Sequence, residues 1–227
     1  MLIGVDEAGK GSVLGPMVVA GIACENEQDL TPFGVRDSKT LTPKKREEIF
    51  EGLTQQFPYH CIVISASEID SLRKMMTMNV ITAKAHAMAI KGIPKNPAAP
   101  CGVYVDACDV NESRHGTIIS GYVGSGYNVV ARHRADSLFP VVAAASIVAK
   151  VTRDRIIDEI KLECEHAWGD IGSGYPSDPK TIKFLKAYIN EQHKAPYTAR
   201  SSWATVKNML KELPVTKQPF VQKHLFE

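Results

Sequence analysis

At 227 residues with 44% apolar content, the chain can bury a full core, as one large domain or as one domain with a smaller appendage, and belongs to the ordinary globular class. Its 27 basic and 25 acidic residues leave a net charge of +2, which excludes a broadly basic nucleic-acid binder and confines any polyanion site to a local patch. The five cysteines, Cys24, Cys61, Cys101, Cys108 and Cys164, are odd in number and lack CxxC spacing, so they read as reduced, packed thiols rather than as disulfides or zinc ligands.

Leu2–Val5 and Met17–Cys24 are strand-like apolar runs separated by the turn-prone Gly11 to Pro16, which predicts an opening antiparallel pair. Asp6 and Glu7 follow the first run directly and precede Gly9-Lys10-Gly11. Alternation along a strand sends neighbours to opposite faces, so these carboxylates converge on one ligand only if the strand stops there, as Gly9 and Gly11 allow. Buried side by side, they need a shared proton or a cation. Thr42-Pro43 predicts an N-cap and first helical residue, followed by Ile49, Phe50, Leu53 and Phe57 at helical spacing. Tyr59–Ala66 reads as a third strand, Ser65-x-x-Glu68 as a capping box, and Asn79 to Ile90 as a helix reaching Gly92. After a proline-punctuated loop from Lys95 to Pro100, Gly102–Ala107 and Tyr127–Ala131 are strands joined by a crossover. A long helix runs from about Pro140 to Glu163, then a loop from Gly169 to Asp178 and helices around Thr181–Glu191 and Ser202–Leu213. Val141 to Ala149, the longest apolar stretch, is too short to span a bilayer, and no signal sequence opens the chain, so a cytoplasmic protein without a membrane partner is expected.

This order predicts an α/β architecture, a mixed sheet flanked by helices. If Gly102–Ala107 lies parallel to Leu2–Val5, their carboxyl ends share one sheet edge, where open α/β sheets bind ligands, and Val5-Asp6 and Val105-Asp106 meet at one crevice. The alternative is that Asp106 starts a turn. Asp136, in His133-Arg134-Ala135-Asp136-Ser137, is either a further metal ligand or a helix N-cap. Carboxylates without clustered cysteine or histidine favour Mg²⁺ or Mn²⁺, which usually serve phosphate chemistry. Gly4-x-x-x-x-Gly9-Lys10 has P-loop spacing, but Gly11 stands where a hydroxyl is needed and no helix starts there, which disfavours an NTPase.

Six motifs occur in order: Asp6-Glu7-Ala8-Gly9-Lys10-Gly11, Asp37-Ser38-Lys39-x-Leu41, Tyr104-Val105-Asp106-Ala107, Ala135-Asp136, Ala143 to Asp154, and Gly172-Ser173-Gly174-Tyr175-Pro176-Ser177-Asp178. Together they resemble ribonuclease HII in its archaeal form, from residue 4 to about 180. No long extra N-terminal domain precedes the first motif, as the related type III enzymes would have. The resemblance implies an RNase H-like fold with a five-stranded mixed sheet in residues 1–165, a small C-terminal helical region in 166–213 that completes the substrate cleft, and a flexible tail in 214–227. It also implies a monomeric endonuclease that cuts the RNA strand of RNA–DNA hybrids and nicks 5′ of single ribonucleotides in duplex DNA.

By the same resemblance, Asp6, Glu7, Asp106 and Asp136 would be the catalytic carboxylates holding Mg²⁺ or Mn²⁺. Gly9, Lys10 and Gly11 would approach the ribose 2′-hydroxyl with their backbone, Tyr175 would pack on the sugar, and Ser38, Lys39 and Lys150 would contact phosphates. Arg153 and Asp154 stay outside the site assignment, since they read equally as a structural pair on the long helix. Lys10 stands where arginine is usual, Ser12 where proline is usual, Arg134 where lysine is usual, and Phe139 where tyrosine is usual. A lysine keeps the charge but loses the planar fork. The tail, with Gln222, Leu225 and Phe226, is similar to peptides that bind a sliding clamp, although a second aromatic is missing. A non-catalytic hybrid-binding module on the same fold is the competing expectation, and it would predict eroded carboxylates; all four are present.

Overall fold

In the computed structural model, which describes residues 1–35, 41–94 and 101–213, the strands β1 (Leu2–Ala8), β2 (Met17–Cys24), β3 (Tyr59–Ile64), β4 (Cys101–Asp106) and β5 (Tyr127–Arg132) form one mixed sheet. Their order is β3-β2-β1-β4-β5, with β2 antiparallel to β1 and β3, and β4 parallel to β1 and β5. The opening antiparallel pair is therefore as expected, and the parallel β1–β4 pairing meets the condition under which Asp6 and Asp106 share one sheet edge. Two helices cover the faces. On one lies α3 (Met78–Gly92), on the other α6 (Pro140–Trp168). Every residue of β2 is buried, which is why its run is continuously apolar rather than alternating.

Caps behave as their residue types demand. Thr42 accepts from the Lys45 amide at the start of α1 (Pro43–Gln56), and Ser65 and Glu68 close a capping box on α2 (Ala66–Leu72). Asp178 caps α7 (Pro179–Gln192) through the Lys180 amide. Three features differ from expectation. The β4–β5 crossover contains a helix, α4 (Glu112–Val123), capped by Asn111, and a 3-10 helix spans Glu27–Phe33. Both lack a clean apolar stripe: α4 holds Gly116 and Gly121, and the 3-10 helix holds Pro32. The long helix also runs five residues beyond Glu163 before Gly169 turns at φ +74°.

Gly4 sets the spacing between sheet and helix. A side chain there would lie 2.1 Å from the Val141 carbonyl oxygen, so only glycine lets α6 rest directly on β1. That requirement, not a phosphate cradle, explains the glycine of the P-loop-like spacing, and no helix follows Gly11 because the chain proceeds into β2. Besides the two cores between the sheet and its flanking helices, a third, which includes Val13, Leu14, Ile157, Ile171, Phe184, Leu185 and Val206, joins the β1–β2 turn to the end of α6, to α7 and to α8 (Ala204–Lys211).

Candidate active site

The strand does not stop before the acidic pair. Pairing between β1 and β2 continues through Asp6↔Ala20, Glu7↔Val19 and Ala8↔Val18, so alternation is preserved and the two carboxylates leave opposite faces. Ile3 and Val5 pack in the layer against α3, which puts Glu7 on that side and Asp6 on the α6 side. The register with β4 ends at Val5↔Val105, so both acids project beyond the parallel pair at its open carboxyl edge, where they come together without the strand stopping: Glu7 shares its cleft with Ser146, the hydrogen-bond partner of Asp6. In β4, Cys101, Val103 and Val105 fill the α3 layer, which turns Asp106 to the α6 side with Asp6. Asp106 Oδ1 accepts from the Ala135 amide at 2.7 Å and so fixes the start of α5 (Ala135–Leu138), whose buried second residue is Asp136. Asp136 is not the N-cap, a position held by Arg134 in the left-handed region at φ +53°.

Burial first, then the charges of Glu7 and Asp106, push the Asp6 carboxyl well above the usual carboxylate range, while a hydrogen bond with Ser146 opposes the shift. Mutual repulsion of this kind is what a bound cation relieves. No three histidine, cysteine or acidic side chains among the described residues form a ready-made metal cage. The donor set still fits Mg²⁺ or Mn²⁺, because such hard ions take oxygen ligands and keep several waters, with one or two carboxylates and the substrate phosphate completing the shell.

Glu7 is held from behind. His86 Nε2 lies 2.9 Å from Glu7 Oε2, and His86 Nδ1 lies 3.2 Å from Nε2 of His115. Both rings are fully buried. Burial and the neighbouring His86 push His115 down to about 4, so it is neutral at pH 7. The two contacts make one chain of ring nitrogens from His115 through His86 to Glu7. A visible sequence signal existed: Asn79, Thr82 and His86 form a polar stripe at helical spacing on an otherwise alanine-rich α3.

A cleft of about 440 Å³ is lined by Glu7, Gly9, Lys10, Gly11, Lys150 and Tyr175, so one space brings together six of the residues singled out from sequence. Arg46 and Ser146, which were not singled out, line it too. Lys10 Nζ donates to Asn79 Oδ1 at 2.8 Å and to the Cys108 carbonyl at 2.6 Å, tying the glycine turn to α3 and to the loop after β4. Lys150 pairs with Asp154 one helical turn on. The expected Arg153–Asp154 pair is thus replaced: Arg153 is buried, donates to the carbonyls of Pro16 and Leu14, and lies with its guanidinium carbon 5.0 Å from the Tyr175 ring centre. Ser38 and Lys39 fall outside the described residues.

The two turn glycines have different reasons. At Gly9, with φ +82°, a side chain would strike Arg153 Nε at 2.2 Å, whereas at Gly11 it would meet nothing within 4 Å. Only Gly11 leaves space open to an incoming ligand. Ser12 replaces a rigid proline with a hydrogen bond, its Oγ donating to the Gly9 carbonyl at 2.9 Å. Phe139 stacks on Tyr104 with ring centres 4.3 Å apart, a contact that needs no hydroxyl. All five cysteines are free thiols, with Cys24 and Cys108 pushed up to about 12 chiefly by burial.

A mixed five-stranded sheet flanked by helices, with acids at the ends of its two central parallel strands, defines the RNase H-like class. The Ribonuclease HII family model matches residues 3–206, and the chain belongs to that family. A ribonuclease HII from Methanospirillum hungatei is 54% identical over 92% of this chain and 95% of its own length. One from Methanoregula boonei is 50% identical over 92% and 94%. Among solved structures, ribonuclease H2 from Pyrococcus horikoshii superposes with a TM-score of 0.82 at 36% identity, covering 92% of this chain and 97% of that one. Ribonuclease HII from Archaeoglobus fulgidus, in complex with PCNA, superposes with a TM-score of 0.80 at 39% identity, covering 92% and 96%. The chain is accordingly a ribonuclease H, a hydrolase of the endonuclease type, in a family that depends on divalent metal. None of the helices in the described residues is long and apolar enough to cross a membrane.

Proposed function

We propose that the protein hydrolyses the RNA strand of RNA–DNA hybrids and also nicks 5′ of single ribonucleotides in duplex DNA, leaving 5′-phosphate and 3′-hydroxyl ends. The observation that carries this reading is the junction of acids and glycine turn: Glu7 and Gly9-Lys10-Gly11 line the same cleft as Tyr175. Asp6, Glu7, Asp106 and Asp136 are the residues that would hold Mg²⁺ or Mn²⁺. A bound ion pair would supply activation of the attacking water and stabilisation of the leaving 3′ oxygen. The chain itself contributes position. His86 orients Glu7, the Ala135 amide orients Asp106, and Gly11 admits the sugar. The 2′-hydroxyl is the group that distinguishes RNA from DNA at such a site. Lys150 contacts phosphate, as do Ser38 and Lys39, and residues 166–213 close the cleft as a helical region that includes α7 and α8. The protein acts in the cytoplasm as a monomer, in replication and ribonucleotide excision repair.

The test is a duplex with one embedded ribonucleotide, incubated with Mg²⁺ or Mn²⁺ beside an all-DNA control. Asp6→Asn and Asp106→Asn should abolish the nick, a loss of at least about 100-fold, while retaining duplex binding by fluorescence anisotropy. Near-native activity in either variant would remove that residue from the mechanism. The tail is proposed to bind a sliding clamp, a reading supported by the Archaeoglobus fulgidus complex with PCNA. Clamp pull-down should lose signal when residues 217–227 are deleted, and equal retention would reject the tail as the contact.

A further inference from the structure

Two arginines, Arg153 and Arg200, are the largest fully buried side chains among the described residues, at 1% and 0% exposure. Burying a guanidinium is costly unless its donors are satisfied, and a buried cation is usually matched by an acid. Neither forms a salt bridge among the described residues. Their donors go instead to main-chain carbonyls of two short segments. Arg200 Nη2 donates to Gly9 O at 2.6 Å and to Gly15 O at 3.1 Å, Nη1 donates to Lys10 O at 2.9 Å, and Nε donates to Gly15 O at 3.2 Å. Arg153 donates to Pro16 O at 3.2 Å, to Leu14 O at 3.3 Å and to Ser173 O at 3.5 Å, with its plane beside the Tyr175 ring.

Carbonyls oriented toward a guanidinium fork leave the peptide units of a turn little freedom, and the fork geometry is fixed in a way that a lysine cannot copy. The glycines confirm how closely the arginines are fitted. A side chain at Gly9 would overlap Arg153, and one at Gly174 would come 2.9 Å from Leu14 O and 3.2 Å from Arg153 Nη2. The amides of Val13 and Leu14 both donate to Gly174 O, which ties the two segments directly. We propose that Arg153 and Arg200 are positioning residues that set ribose selectivity, by fixing the Gly9-Lys10-Gly11 turn at one distance from Tyr175. This rests on the reading of that turn and Tyr175 as the ribose-contacting edge. The C-terminal region thereby enters the chemistry through Arg200, reaching from beyond α7 to the first turn of the chain.

Arg200→Lys and Arg153→Lys keep a charge in place but lose the fork, and circular dichroism shows whether each is folded. Hydrogen–deuterium exchange on the metal-free protein reads the position of the turn, and steady-state cleavage reads its consequence. Exchange at residues 9–16 should rise about tenfold or more in Arg200→Lys, with α3 and α6 unchanged. On a duplex with one ribonucleotide, kcat should fall about 10- to 100-fold with KM changed less than about threefold, and the loss on a long hybrid should be smaller. Unchanged exchange at residues 9–16 in both folded variants overturns the proposal, whatever the activity. Equal acceleration across the whole chain, or equal losses on both substrates, also overturns it in favour of a general structural role. A wild-type protein that cuts all-DNA duplex as readily as ribonucleotide-containing duplex refutes the ribose-sensing reading separately, because the exchange result still judges whether the arginines hold the turn.

Discussion

At the scale of the residue, His115 shows how position alone sets a charge state. In the unfolded chain its ring titrates near the ordinary 6.5, and in the folded protein near 4. Below pH 6.5 the unfolded state takes up a proton that the folded state refuses, so folding stability is fully present above that pH and falls as pH drops toward 4. His115→Asn should flatten this part of a urea-denaturation profile measured from pH 7.5 to 4; an unaltered slope would show that another group carries it. The candidate acids Asp6, Glu7, Asp106 and Asp136 stand out in the sequence because each ends an apolar run or sits in a dense motif. For the histidines the polar stripe of α3 gave only a hint, without a partner. A single histidine in an alanine-rich helix is ordinary, and its meaning lies in Glu7, which is 79 residues away in sequence and 2.9 Å away in space.

At the scale of the element, helix ends were legible because capping is local chemistry. Thr42-Pro43 and Ser65-x-x-Glu68 cap as expected, since the same three or four residues that signal the cap also make it. Asp178 does more than cap α7. Its Oδ1 accepts from the Lys180 amide at 2.9 Å and its Oδ2 from the Ser173 amide at 2.7 Å, joining the helix to the loop that carries Tyr175. Asp178→Ala should therefore cost about 1–2 kcal/mol in urea denaturation and also lower activity. A stability loss with fully native cleavage would show that the loop does not need its tether. The end of β1 differs from expectation for an equally physical reason. Glycine signals permitted a strand end after Val5, but the pairing energy of β2 carries the strand on to Ala8, and a sequence does not display its partner's hydrogen bonds.

At the scale of the whole molecule, the candidate site is assembled from both ends of the chain. The third core packs Val13 and Leu14 of the first turn against Phe184, Leu185 and Val206 of the last helices. Phe184 is 2% exposed, so Phe184→Ala should destabilise the protein by about 3–5 kcal/mol in denaturant unfolding, with one cooperative transition. A separate early transition for the C-terminal helices would show that they fold independently. The sequence by itself determined the apolar runs of the strands, the opening antiparallel pair, the helix caps and the glycine turn, because these depend on local runs and motifs that a short window contains. Only the tertiary structure decided that Asp6 and Glu7 leave opposite faces, that Arg153 turns inward instead of pairing with Asp154, and that Arg200 grips the turn at Gly9. Each of those depends on which backbone carbonyls, rings and strands arrive from elsewhere in the chain, and burial gives such distant partners their weight.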